Sequence, residues 1–186
     1  MTVPLIAPQQ GTIGLPAERL AQLREIAKAR GTTIVGIVEA AIAQAVEDGE
    51  IPDELPGLAS VVPDDDILCL TIRGAPLPFL TREKAMVIST VLEAAAGVVH
   101  GDLGFSIKVG KGTAVDLGSG VKLMIGRHAK AVLISIVDAK TGEPRMKTAT
   151  TPSLALDLAQ IIRKHAKTLM PTLDEAERRR FEVICS

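Results

Sequence analysis

Apolar residues recur along this chain with two periods, and the change of period divides it into elements. In Gln10–Leu15 the period is two: Ile13 and Leu15 share one face of an extended segment, and Gln10, Thr12 and Gly14 share the other. Pro16 ends that segment and suits the first turn of a helix. Over 17–30 the period becomes helical, with Leu20, Leu23, Ile26 and Ala27 on one face. Gly31 is a left-handed stop, and Thr32 or Thr33 is placed to cap a second helix. That helix carries Ile34, Ile37, Val38, Ala41, Ile42, Ala45 and Val46, and it stops at Asp48-Gly49.

One strand and two helices in about 40 residues cannot bury this much apolar surface alone. The strand also has no partner nearby in sequence. Pairing with the same strand of a second copy answers both needs: two strands form a ribbon, and four helices close over Ile13 and Leu15. Residues 1–50 are therefore expected to form a dimerisation module. Residues 51–65, with three prolines and little periodicity, read as a linker.

Residues 66–186 predict an α+β domain in which covering helices pack on an antiparallel sheet. ILCLTIRG (67–74) reads as a buried strand, followed by a proline-rich turn and a helix from Thr81 to Ala96 with Ala85, Ile88, Val91, Leu92 and Ala95 on one face. Short strands follow at 105–109, 113–117, 121–126 and 131–138, separated by glycine turns. Thr151-Pro152 opens a helix to Thr168, with Leu156, Ala159, Ile162 and Ala166 on one face, and Pro171-Thr172 opens a charged tail helix.

The order of strand, Pro16, Leu20/Leu23/Ile26-Ala27 helix, Gly31-Thr32-Thr33 and Ile34/Val38/Ile42/Val46 helix resembles the ribbon-helix-helix repressors over residues 8–51, about a quarter of the chain. The resemblance implies a homodimer, or a higher oligomer, that lays its ribbon in the major groove of double-stranded DNA. By position, Gln10, Thr12 and Gly14 are then the base-reading residues. Gly14 offers only backbone where the family commonly has a polar or basic side chain. The amides around Thr32, Thr33 and Ile34 take a phosphate, assisted by Arg30. The 66–186 domain carries no such resemblance.

Charge tempers that picture. Net charge is -1, and within 10–46 four basic residues face three acidic ones, a weak footprint for DNA. A basic band lies later: Lys108, Lys111, Lys122, Arg127 and Lys130 against only Asp116, a candidate contact for phosphate or another anion. The alternative to a DNA-binding regulator is thus an interaction protein that the first module dimerises, with a protein- or anion-binding second domain. Tyr and Trp are absent and three Phe occur, so base stacking on aromatics is nearly excluded.

The remaining chemistry points away from catalysis. Gly110-Lys111-Gly112-Thr113 lacks the spacing of a phosphate loop and reads as a hairpin tip. His100, His128 and His165 are widely separated and carry no metal signature. No Ser or Cys lies in a nucleophile motif, and Cys69 and Cys185 read as unpaired thiols. No cofactor, metal or membrane span is expected, and a soluble cytoplasmic protein is the default.

Overall fold

The structure, a computed structural model, describes residues 13–55, 57–64, 67–98, 105–129 and 131–171. The described chain is mixed α+β, with four helices and two antiparallel sheets. It divides into two compact units, Gln9–Glu54 and one built from Leu55 onward.

The first unit contains α1 (Ala17–Ala29) and α2 (Ile34–Glu47). Gly31, at φ +63°, turns the chain between them. The Gly31 N–H donates to the Lys28 carbonyl and the Thr32 N–H to the Ala27 carbonyl, which satisfies the last carbonyls of α1. Thr33 caps α2, its hydroxyl accepting the Gly36 N–H at 3.0 Å. Gln10 and Thr12 lie outside the described residues, and 13–16 adopt no regular structure. The expected strand is not formed among the described residues, where 13–15 have no paired neighbour; the first strand of the structure comes after both helices.

The second unit opens with β1 (Leu58–Asp64), β2 (Ile67–Ile72) and the short β3 (Ala75–Pro76), paired antiparallel in that order. β1 occupies part of the stretch that the prolines mark as linker. Its Pro63 falls where the register with β2 shifts between Val61 and Asp64, and β1 is an edge strand, so the missing proline N–H is tolerated. β2 alternates as its sequence requires, with Leu68, Leu70 and Ile72 buried.

α3 (Arg82–Ala96) follows, ending at Gly97 with φ +102°. The meander β4 (Gly112–Gly118), β5 (Val121–Arg127), β6 (Val132–Asp138) and β7 (Pro144–Thr150) then forms the second sheet, where one sheet was expected. Two-residue turns at Arg73-Gly74 and Ser119-Gly120 join β2 to β3 and β4 to β5. Both residues of each turn have positive φ, the mirror-image geometry that matches strand twist. The expected strand 105–109 does not form. Phe105 makes one isolated bridge, Ile107 is buried, and a turn closes from Lys108 to Lys111.

α4 (Pro152–Thr168) packs along α3 and against β1, while α3 contacts β2, β4, β5 and β6. The buried stripe of α4 is Ala155, Leu158, Ala159, Ile162 and Ala166; Leu156 sits at its margin, half-buried. Alanines at these positions let the two helices approach closely. The core is aliphatic throughout, and the inner faces of β4–β7 supply much of it, including Leu117, Leu123, Ile125 and Ile134.

Candidate functional site

The helical hairpin has little core of its own. Ala27 is its one buried residue among those described. Ile34, Ile37, Val38, Ala45 and Val46 of α2 are half-buried, whereas Val35 is 61% and Ile42 52% exposed. Val35 and Ile42, seven residues apart, lie on the same side of α2 and leave exposed apolar surface beside the half-buried stripe. Ahead of α1, Ile13 is 73% exposed and Leu15 is also exposed. A helix that is apolar on most of its circumference needs cover from outside its own hairpin.

Arg30, Thr32, Thr33 and Ile34 are brought together by the turn at Gly31. Arg30 and both threonines are exposed, and Ile34 is half-buried. The Thr33 hydroxyl is engaged by the cap. A Cβ at Gly36 would collide with the Thr32 hydroxyl, so a larger residue there requires the exposed Thr32 side chain to rotate away. Gly14 is the opposite case: a Cβ there meets nothing within 4 Å, and the position accepts any side chain.

The basic band is not gathered into one patch. Lys108 and Lys111 are exposed on the turn before β4. Arg127 lies beside Lys111, whose carbonyl accepts the Arg127 N–H, but its guanidinium is turned inward. It donates to the Ile107 carbonyl at 3.3 Å and stands against Gly97. Lys122 projects from the opposite end of β5, roughly 17 Å away by strand rise, paired across the ladder with Asp116. Lys130 lies outside the described residues, as do His100, Cys185 and the tail arginines. Gly112 begins a strand rather than a helix, as expected against a phosphate loop; but no strand precedes it, so Gly110-Lys111-Gly112 is a turn leading into β4 and not the expected hairpin tip.

Three polar constellations were not legible from spacing. Ser89, fully buried on α3, donates to the Ala159 carbonyl of α4 at 2.9 Å and accepts from Arg163 Nε at 3.1 Å. Arg163 also forms an ion pair with the buried carboxylate of Glu93. Ser60 of β1 and His165 of α4 share a hydrogen bond of 2.7 Å between Oγ and Nδ1, fastening strand to helix. Asp138 accepts from Arg145 at 2.6 Å and from the Lys140 and Thr141 amides, closing the β6–β7 turn. The Arg145 hydrogen bond, then those two amides, hold the Asp138 carboxyl down from 3.8 to about 2. Each group links residues far apart in sequence or hidden in a turn, where no local motif announces it.

Among the described residues no helix is long and apolar enough to cross a membrane, and no cluster of His, Cys, Asp or Glu is arranged to hold a metal ion. Comparison of the chain with family models, with curated proteins and with solved structures finds no match.

Proposed function

We propose that this protein is a homodimeric, sequence-specific DNA-binding regulator. Its first unit pairs with a second copy and presents the 10–14 segment to the major groove, and its second unit serves as a sensing or interaction domain. The observation that carries the reading is that α2 has no buried residue although its sequence, IVGIVEAAIAQAVE, is mostly apolar. Ile13 and Leu15, just before α1, are exposed as well. A second copy would cover these side chains, and the 10–15 segment of each copy would gain a partner to pair with. The resemblance of residues 8–51 to ribbon-helix-helix repressors supplies the DNA part. Gln10 and Thr12 then read base edges, and the exposed Arg30 and the amides at the start of α2 contact phosphate.

The test is selection from random-sequence duplexes at about 150 mM salt, where weak nonspecific contacts are largely screened. Wild type is compared with Gln10→Ala/Thr12→Ala. The expected result is a two-fold-symmetric site that the double variant fails to enrich.

One observation favours a second reading. The 10–46 segment is nearly balanced in charge and Gly14 gives the groove no side chain, which suits a module that only dimerises the chain. A dimer that enriches no site would establish that reading in place of the first.

A further inference from the structure

The end of the four-stranded sheet nearest the 118–120 and 139–143 turns holds a groove of about 530 Å³. Its size falls within the range of small-molecule pockets. Val121 and Ile136 line it; both belong to the buried face of the sheet. The other wall is the proline-rich segment Ala75–Phe79, including Pro76, Pro78 and Phe79. Two polar residues complete the lining, Ser119 and Arg145.

The groove is built rather than incidental. Pro76 and Pro78 each fix their own φ. The segment is tied to β2 at both ends: the Leu77 N–H donates to the Leu70 carbonyl at 2.8 Å, and Leu80 and Leu68 exchange backbone hydrogen bonds. Leu77 and Leu80 are buried, which leaves Phe79 held out between them at 67% exposure. Holding one of only three aromatic residues of the chain in water is unfavourable unless something covers it. Opposite, Ser119 keeps a φ of +50°, and the Ala139 N–H binds the Gly120 carbonyl at 2.8 Å, joining the two turns.

The donors of the lining select the ligand. Arg145 spends one nitrogen on Asp138, which fixes the guanidinium in place; the group has five N–H donors in all. The Ser119 hydroxyl makes no hydrogen bond among the described residues. The Lys84 ammonium, bound to the Leu117 carbonyl at 2.8 Å, stands beside Gly118 at the same turn. The carboxylate that meets Arg145, Asp138, is outside the lining and is itself held by Arg145 and by the Lys140 and Thr141 amides. Apolar walls with spare N–H and O–H donors at one end, and the Lys84 ammonium at the adjoining turn, complement an amphiphile whose head accepts hydrogen bonds, an anionic head best.

We propose that this groove binds an apolar carboxylic acid, its hydrocarbon body between Phe79 and the sheet and its carboxylate on Arg145 and Ser119. The proposal does not depend on DNA binding by the first unit.

The experiment is titration of the isotope-labelled full chain with octanoate, octylammonium and 1-octanol, followed by backbone amide shifts. Octanoate is expected to saturate at about 1 mM or below, with shifts concentrated at 75–79, 119–121, 136 and 145. Arg145→Gln is expected to weaken octanoate about tenfold while leaving 1-octanol unchanged. Because that variant also takes a partner from Asp138, Phe79→Ser is measured beside it; the side chain is exposed, so the fold is retained, and binding of both octanoate and octanol should fall. The proposal is overturned if octanoate gives no saturable shift, if octylammonium binds as tightly, or if the shifts fall in α1 and α2 instead.

Discussion

The hydroxyl of Ser89 lies 2.9 Å from the carbonyl oxygen of Ala159 and donates to it across the contact of α3 and α4. The Ser89 hydroxyl oxygen in turn accepts from Arg163 Nε, whose guanidinium is paired with Glu93, so one small side chain joins two helices and orients a charge pair at the edge of the core. Ser89→Ala removes the donor to Ala159 and the acceptor for Arg163 Nε while changing volume little. The expected loss is about 1–3 kcal/mol of stability, the range for leaving buried partners unsatisfied. Urea denaturation should show a lower midpoint with an unchanged slope. A midpoint equal to wild type would mean that water or a small helix shift replaces these bonds.

The aliphatic stripes of α3 and α4 are legible in sequence because helical spacing alone decides which positions face inward. Ala85, Ile88, Val91, Leu92 and Ala95 are expected inside and are buried. The strands of the meander are legible for the same reason, since alternation and glycine turns fix β4, β5 and β6 to within a residue or two. β1 is hidden by its proline, which a paired edge strand tolerates. The segment 105–109 alternates like a strand, yet Gly110 at φ +80° turns it into a loop. The groove was not legible, because its two walls come from segments about 40 to 70 residues apart, and neither wall carries a motif. Arg127 shows the limit of charge counting: a basic residue in a basic band spends its donors on a backbone carbonyl.

Asp138 gives a pH dependence of definite sign. Its carboxyl is held at about 2 in the folded chain, below its ordinary 3.8, first by Arg145 and then by the Lys140 and Thr141 amides. A depressed carboxylate contributes stability that is full above the unfolded value and is lost as pH falls through the folded one. The contribution of the β6–β7 turn should therefore be constant above about pH 5 and fade between about pH 4 and pH 2. In Arg145→Gln the Asp138 carboxyl should titrate nearer 3.8. Carboxyl carbon shifts followed by NMR read this directly; an unchanged titration would assign the depression to the turn amides alone.

Val35 and Ile42 stand one heptad apart on the uncovered stripe of α2, at 61% and 52% exposure. If a second copy covers them, Val35→Glu/Ile42→Glu places four carboxylates in the interface and separates the chains. Sedimentation should show wild type at the mass of two chains and the variant at the mass of one, with the second unit still folded by circular dichroism. Loss of the dimer is expected to abolish site selection in the same samples. A wild-type chain that sediments as a monomer would remove the basis of the ribbon.

Gly14 offers a gain-of-function test of the same reading. The position is exposed, and an added Cβ meets no atom within 4 Å, so Gly14→Arg introduces a cation without disturbing the hairpin. On a ribbon lying in the major groove, each copy then adds one charge among the phosphates. Two neutralised phosphates per dimer steepen the dependence of log K on log salt by about 1.8. Binding to a nonspecific duplex, followed by anisotropy from about 50 to 200 mM salt, measures that slope. A steeper slope together with tighter binding at low salt places residue 14 against DNA. An identical slope in variant and wild type puts this face of the module away from the duplex, since a charge brought to phosphate cannot avoid releasing counterions.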